Sequence, residues 1–290
     1  MTTTIAAIRT HKWDEATEAL ANRLRPVFGD NLVVVFHNRP ADVTPPIPVV
    51  DINEDSVKAM ALDPVSDWGW RCGDYFLYAL RKARPEADFY WLIEPDVFFT
   101  GDIEDFFTRT EARTEDLLGT RIEKQDSGHR FAKGMPGIKH WRAIFALVRF
   151  SGRALDILLA QRQAYAKLGF NRFYANDETF CFSTAKADPR LTMASLSEIM
   201  PDWVRHAQVA TDPDMLLDLV VDRQDRGIYH PVRTRDSFIA SLADRIANTG
   251  FLSAMRPSLA RLTPENEAEV LRQAGRKILA DLHEVRFGKD

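Results

Sequence analysis

The chain has 290 residues, 45% hydrophobic and 28% charged, the balance of one large soluble globular domain or two small ones. Its 38 basic and 42 acidic residues leave a net charge of -4, which argues against nucleic-acid binding driven by bulk charge. The two cysteines, Cys72 and Cys181, have no zinc-site or CxxC spacing, so no disulfide framework is expected and a reducing cytoplasm is the simpler setting.

In chain order, Thr4 to Ile8 reads as a short buried strand. A helix is expected from Asp14 to Arg25, with Ala16, Leu20, Leu24 and Val27 on one face and Gly29-Asp30 as its break. The β-branched run from Asn31 to Asn38 marks a strand covered on both faces. A proline-rich loop and a short strand ending on Asp51 follow. Strand, helix, strand, loop, strand is the alternation of a parallel α/β sheet. Asp67 is expected to cap a helix running to Arg84, where Pro85 stops it. Next comes the most hydrophobic strand, FYWLI, ending on Glu94-Pro95-Asp96. The segment from Thr108 to Lys139 reads as polar and loop-like. Trp141 to Ser151 reads as a strand, GRALDILLAQRQAYAKLG as an amphipathic helix closed by Gly169, and Asn176 as the cap of a helix ending before Pro189. GIYHPV is a short strand. After Gly250 two amphipathic helical segments are expected to cover the sheet or an oligomer interface, a homodimer being one form of it. The N-terminal apolar patch meets Arg9, His11 and Lys12 too soon for a signal peptide, and no run reaches the ~20 apolar residues of a spanning helix.

The chemistry concentrates in a few places. Glu94 and Asp96 sit at the carboxyl end of a buried strand, where open α/β sheets bind ligands, and hard cations such as Mg2+ or Mn2+ take such oxygen donors. The alternative is a turn in which Asp96 caps backbone amides. Asp177 and Glu178 suit the helix dipole at a first turn, or serve as a general base. His230 is either structural or a metal ligand through a neutral ring nitrogen. Arg71 and Asp74 either pair on a helix surface or, beside tryptophans, read sugar hydroxyls. Arg9, His11 and Lys12 follow the first strand where a nucleotide can lie. Arg130 and Lys133 belong to a basic, glycine-bearing loop with His129, Lys139 and His140, either solvated or closing on phosphates as a lid. The absence of GxxxxGK[ST], GxGxxG, GxSxG and HExxH sets aside P-loop NTPases, typical dehydrogenases, α/β-hydrolases and zincins.

Taken in order, WRCGDY, YWLIEPDVFF, NDE and YHP resemble the GT-A glycosyltransferases over Thr4 to Val232. The resemblance implies a GT-A-like, Rossmann-type mixed α/β sheet flanked by helices, a catalytic domain over 1–250 and a C-terminal helical extension over 251–290. It implies a metal on Glu94, Asp96 and His230, donor contacts from Arg9, His11, Lys12, Arg71 and Asp74, and a base or acceptor contact at Asp177 or Glu178. Arg130 and Lys133 of the loop are then expected to stabilise the diphosphate. The donor is expected to be a nucleoside-diphosphate sugar, the acceptor a glycan or small molecule, and no nucleic acid is involved. Two departures from the family's DXD stand out: Glu takes the first position and proline the middle. Two rivals are a non-catalytic sugar- or protein-binding relative and a nucleotidyltransferase. The latter is disfavoured because AAIRTHKWDE lacks the glycine-rich loop usual there.

Overall fold

The computed structural model describes residues 2–169, 173–205, 207–210, 214–249, 258 and 260–287. The chain begins with β1 (Thr4–Thr10), α1 (Glu15–Phe28), β2 (Leu32–His37) and β3 (Val49–Ile52). Asp14 caps α1 by accepting from the Thr17 amide, and Gly29, with φ 52°, ends it. Then come α2 (Glu54–Ala59), α3 (Trp68–Arg71), α4 (Gly73–Ala83), β4 (Phe89–Ile93), β5 (Phe98–Thr100), α5 (Ile103–Glu111) and β6 (Leu117–Lys124). The second half holds β7 (Trp141–Ser151), α6 (Gly152–Ala166), α7 (Asp177–Ala187), β8 (Met193–Ser195), α8 (Leu196–Ile199), β9 (Met215–Leu216), β10 (Gly227–Tyr229), β11 (Val232–Arg233), α9 (Arg235–Thr249) and α10 (Pro264–Phe287).

Seven strands form one mixed sheet in the order β3-β2-β1-β4-β7-β6-β8. β1, β2, β3 and β4 run parallel, while β7 pairs antiparallel with both β4 and β6. Side chains alternate across the pleat. Ile5, Ala7, Val33, Val35, Tyr90 and Leu92 face one core, which α4, α6 and α7 cover. Ala6, Ile8, Val34, Phe36, Trp91 and Ile93 face the other, with α1 and α5. The strand order reverses between β1 and β4, so their carboxyl ends, at Arg9 and Glu94, flank a topological switch point, where such sheets bind ligands.

Three expectations need correction. The helix read from Asp67 to Arg84 is two helices, broken at Cys72 (φ -120°, ψ 63°). Long-range polar groups take up its backbone there: Arg9 binds the carbonyls of Gly69 and Trp70, and Asp177 accepts the Gly73 N–H. Asp67 makes no capping bond and pairs with Arg71 instead. The polar stretch after Thr108 contains strand β6, hidden in the sequence because Arg121 and Glu123 interrupt its apolar run. Beyond the acids, Phe98–Thr100 form a strand of their own. A turn at 94–97 separates β5, which pairs with β10 outside the main sheet.

At the C-terminus α9 and α10 pack on each other around Phe238, Ile239, Leu242 and Val270, joined by Leu216 of β9. The first helical segment expected after Gly250, and the expected boundary there, lie outside the described residues. No helix among the described residues is long and apolar enough to cross a membrane.

Asp74, expected near a donor, is instead a core residue. It pairs with Arg162 at 2.9 Å, both side chains 0% exposed, and the guanidinium lies against the rings of Tyr75, Tyr165, Tyr174 and Phe180. Removing one partner strands a buried charge, which costs about 3–5 kcal/mol. Urea denaturation is expected to show Asp74→Ala destabilised by roughly that amount and an Asp74→Leu/Arg162→Met pair far less, because the double change removes both charges. Equal losses in the two would contradict this.

Candidate metal and carboxylate site

β4 ends in the bend that carries Glu94 and Asp96, and the 227–233 segment, whose β10 pairs with β5 and whose β11 pairs with β9, brings His230 against them. The Val232 N–H donates to the Asp96 carbonyl at 2.7 Å, which fixes the two segments together. His230 Nε2 lies 3.5 Å from Glu94 Oε2 and 3.5 Å from Asp96 Oδ1. One donor atom from each of the three residues falls within 4.8 Å of the others. His230 Nδ1 donates to the Ala210 carbonyl at 2.9 Å, which leaves Nε2 as the nitrogen facing the carboxylates. Two carboxylate oxygens and one fixed imidazole nitrogen are donors that Mn2+ accepts readily, and Mg2+ with less preference for the nitrogen. The set fits a divalent cation.

The electrostatics point the same way. Burial alone would depress the His230 pKa, but Asp96, Glu94 and the Ala210 carbonyl outweigh it and push it up to about 9. An imidazolium therefore stands between the two acids when no metal does. Burial works to raise the Glu94 pKa, yet His230, Arg9 and Arg233 together bring it below the usual range. Asp96 goes the other way, raised by burial and by Glu94 against the pull of His230 and Arg233.

Arg9, at the end of β1, is buried and fully engaged. Its Nη1 meets Glu94 at 3.0 Å and Asp177 at 3.5 Å, and its Nη2 donates to the carbonyls of Gly69 and Trp70 at 2.8 and 2.6 Å. It is thus a tie among four partners, whereas the sequence suggested a contact to nucleotide. The neighbouring His11 and Lys12 are exposed; Lys12 reaches Asp14 at 2.7 Å and Ser237 at 3.3 Å.

Asp177 and Glu178 open α7 behind Asn176, whose side chain accepts the Thr179 N–H. Asp177 is buried, and its oxygens accept from Arg9, the Gly73 N–H and the Glu178 N–H. Burial raises its pKa well above the carboxylate range, the Glu178 charge adds to this, and Arg9 opposes it. Glu178 is partly exposed, with longer contacts of 3.4 Å to the Phe145 N–H and 3.3 Å to Asn176. Burial and, more weakly, Glu94 raise its pKa.

Arg71 pairs with Asp67 at 3.1 Å and stacks on Phe131 at 5.6 Å; Arg130 stacks on the same ring at 4.3 Å. The 124–140 loop is therefore packed against α3 through Phe131 and against α7 through a Thr179–Gln125 hydrogen bond of 2.8 Å. Gly134 has no room for a side chain, since a Cβ there would meet the Phe173 carbonyl at 1.8 Å. Arg130 and Lys133 are exposed, and among the described residues neither meets a carboxylate. Sequence reasoning missed Arg233, which lies 3.8 Å from Asp96 and 3.0 Å from the buried Asp214. Its position three residues after His230 was the only local signal.

A second concavity, about 700 Å3 in volume, opens at the opposite end of β4 and β7. Its charged groups are already matched: Asp116 with Arg153 and Ser151, Arg81 with Asp156. The switch-point site differs in bringing two carboxylates and a histidine within ligand distance of one another.

No protein-family profile matches the chain, and no curated protein matches it. Among solved structures, mouse xyloside xylosyltransferase 1 is 13% identical over 79% of this chain and 97% of its own, with a TM-score of 0.40. A galactosyltransferase in complex with donor and acceptor sugar analogues is 9% identical over 90% of this chain and 84% of its own, TM-score 0.40. A glucose-1-phosphate thymidylyltransferase from Bacillus anthracis, in complex with sucrose, is 10% identical over 66% and 86%, TM-score 0.41. These likenesses concern the course of the chain; the chemistry of the site rests on its own geometry.

His230 gives a pH prediction. Its pKa is 6.5 when unperturbed and about 9 in the fold, so its stabilisation is complete below pH 6.5 and is lost as pH rises through 9. The melting temperature of the metal-free protein is expected to fall across that window, and His230→Gln to flatten the fall. Because a metal must displace the proton, Mn2+ affinity is expected to rise over the same window; calorimetric titration at pH 7 and pH 9 checks it.

Proposed function

We propose that the protein transfers a sugar from a nucleoside-diphosphate donor to an acceptor hydroxyl, with a divalent ion at Glu94, Asp96 and His230. The observation that carries this reading is the convergence of those three donors at the switch point, beside the carboxylates of α7. A bound Mn2+ or Mg2+ would supply charge neutralisation for a departing diphosphate. The protein's own groups do the rest. Arg9 fixes Glu94 against the start of α7, so the metal-binding and base-bearing elements keep one spacing. Arg233, with Arg130 and Lys133 of the 124–140 loop, adds positive charge for an anionic donor.

Of the two acids on α7, Glu178 is the better proton acceptor. Asp177 has its oxygens taken by Arg9 and two backbone amides, whereas Glu178 is partly exposed, and burial makes it more basic than a free carboxylate. Such a base serves a transfer that inverts the anomeric carbon.

A thermal-shift screen of UDP, GDP, CDP and ADP, each with and without Mn2+, tests the donor class. One nucleotide is expected to stabilise the protein only when Mn2+ is present, following the linkage of binding to stability, and Asp96→Ala is expected to remove that shift. Stabilisation of Asp96→Ala equal to that of the parent would sink the metal assignment. With a donor in hand, Glu178→Gln is expected to lower turnover by ~10²–10⁴-fold with nucleotide binding kept, and Asp177→Asn to lower the melting temperature more than Glu178→Gln does.

A further inference from the structure

Asp214 stands just outside the carboxylate site, is 0% exposed, and gathers arginines from β11, from α9 and from the turn before α10. Its Oδ2 meets Arg233 Nε of β11 at 3.0 Å and accepts from Ser241 Oγ of α9 at 2.8 Å. Its Oδ1 meets Arg245 of α9 at 3.4 Å, and its backbone carbonyl accepts from Arg261 at 2.9 Å. The pairing of β9 with β11, Met215 opposite Val232 and Leu216 opposite Arg233, sets the spacing of the two backbones. The guanidinium of Arg233 is thereby shared unequally. Its Nε is in contact with Asp214, while its Nη2 stops 3.8 Å from Asp96 Oδ2.

We propose that Asp214 is the counter-charge that holds Arg233 off Asp96 and so keeps that carboxylate open to a divalent cation. The proposal rests on the metal reading above and assigns a role to residues outside it. The two carboxylates compete for one guanidinium, and a full ion pair at Asp96 Oδ2 would neutralise the carboxylate whose other oxygen, Oδ1, faces His230 and weaken its attraction for a cation. Asp214 wins the competition because it is buried, where its attraction for Arg233 is little screened, and because Ser241 and Arg261 fix it in place. Since Ser241 and Arg245 lie on α9, the C-terminal helix pair becomes part of what makes the site receptive. Without the Asp214 charge, Asp96 is the carboxylate still within reach of Arg233 among the described residues, and the arginine closes on it.

The test uses the full-length protein and Mn2+ alone, titrated calorimetrically well below the unfolding temperature. Asp214→Asn is expected to weaken Mn2+ binding roughly tenfold, Arg233→Gln to strengthen it several-fold, and the double variant to return at least to parental affinity. This rescue is what a merely structural Asp214 would not give, because removing a second residue does not restore lost packing. Unchanged affinity in folded Asp214→Asn, or a double variant as weak as the single, overturns the proposal. If Asp214→Asn does not fold, Arg233→Gln decides alone: tighter binding supports the proposal, and unchanged or weaker binding overturns it. A parental protein that takes up no Mn2+ with or without nucleotide overturns the metal reading itself and this proposal with it.

Discussion

The guanidinium of Arg9 is the interaction on which the rest of the site depends. It is buried at the end of the central strand β1, and an unpaired cation there would be prohibitively unfavourable. Its four partners come from three distant parts of the chain: Glu94 after β4, the carbonyls of Gly69 and Trp70 in α3, and Asp177 at the head of α7. Each partner also answers a need of its own. The break at Cys72 leaves the Gly73 N–H free to bond Asp177, and the α3 carbonyls, cut off from α4, find donors in Arg9. The kink, the buried acid and the strand terminus are three views of one network.

Around that network the acids separate by environment. Glu94, held between cationic groups, is shifted toward the ionised form, while burial shifts Asp177 and Glu178 the other way, with the Glu178 charge adding to the first and the Glu94 charge to the second. Asp96 stands between, pulled both ways by His230 and Glu94. Carboxylates driven apart in this manner differ in what they hold: the ionised kind attracts cations, while the kind with a raised pKa keeps a proton more readily. Trp70, whose backbone carbonyl Arg9 binds, leaves its indole 62% exposed.

Much of the fold was legible because it is written locally. The β-branched run 31–38, the strand FYWLI and the caps Asp14 and Asn176 each declare an element within a few residues, and the observed mixed sheet with flanking helices follows from their order. Glu94, Asp96 and His230 were also nameable, as acids at a strand end and a histidine near a strand end, and the structure brings the three together. What was not legible is pairing at a distance. Asp74 looks like a polar residue facing Arg71 one turn away until Arg162, 88 residues later, claims it. Arg9 looked free because its partners lie 60 to 168 residues off. β6 escaped notice because half-buried charges such as Glu123 and its partner Arg142 satisfy each other across strands, which spacing along one strand does not reveal. Asp214 gave no local signal at all.

The order of the elements along the chain has a consequence of its own. All seven strands of the main sheet are supplied by the time the chain reaches Ser195 at the end of β8. His230, Arg233, Asp214 and the helix that holds them come afterwards. The scaffold is therefore finished before the pocket is: Glu94 has Arg9 from the first strand onward, but Asp96 meets its cationic partners, His230 and Arg233, only when the last quarter of the protein arrives. That separation makes the final quarter a natural place for variation. Changes there can retune or silence the pocket while the seven-stranded sheet that displays it stays as it is.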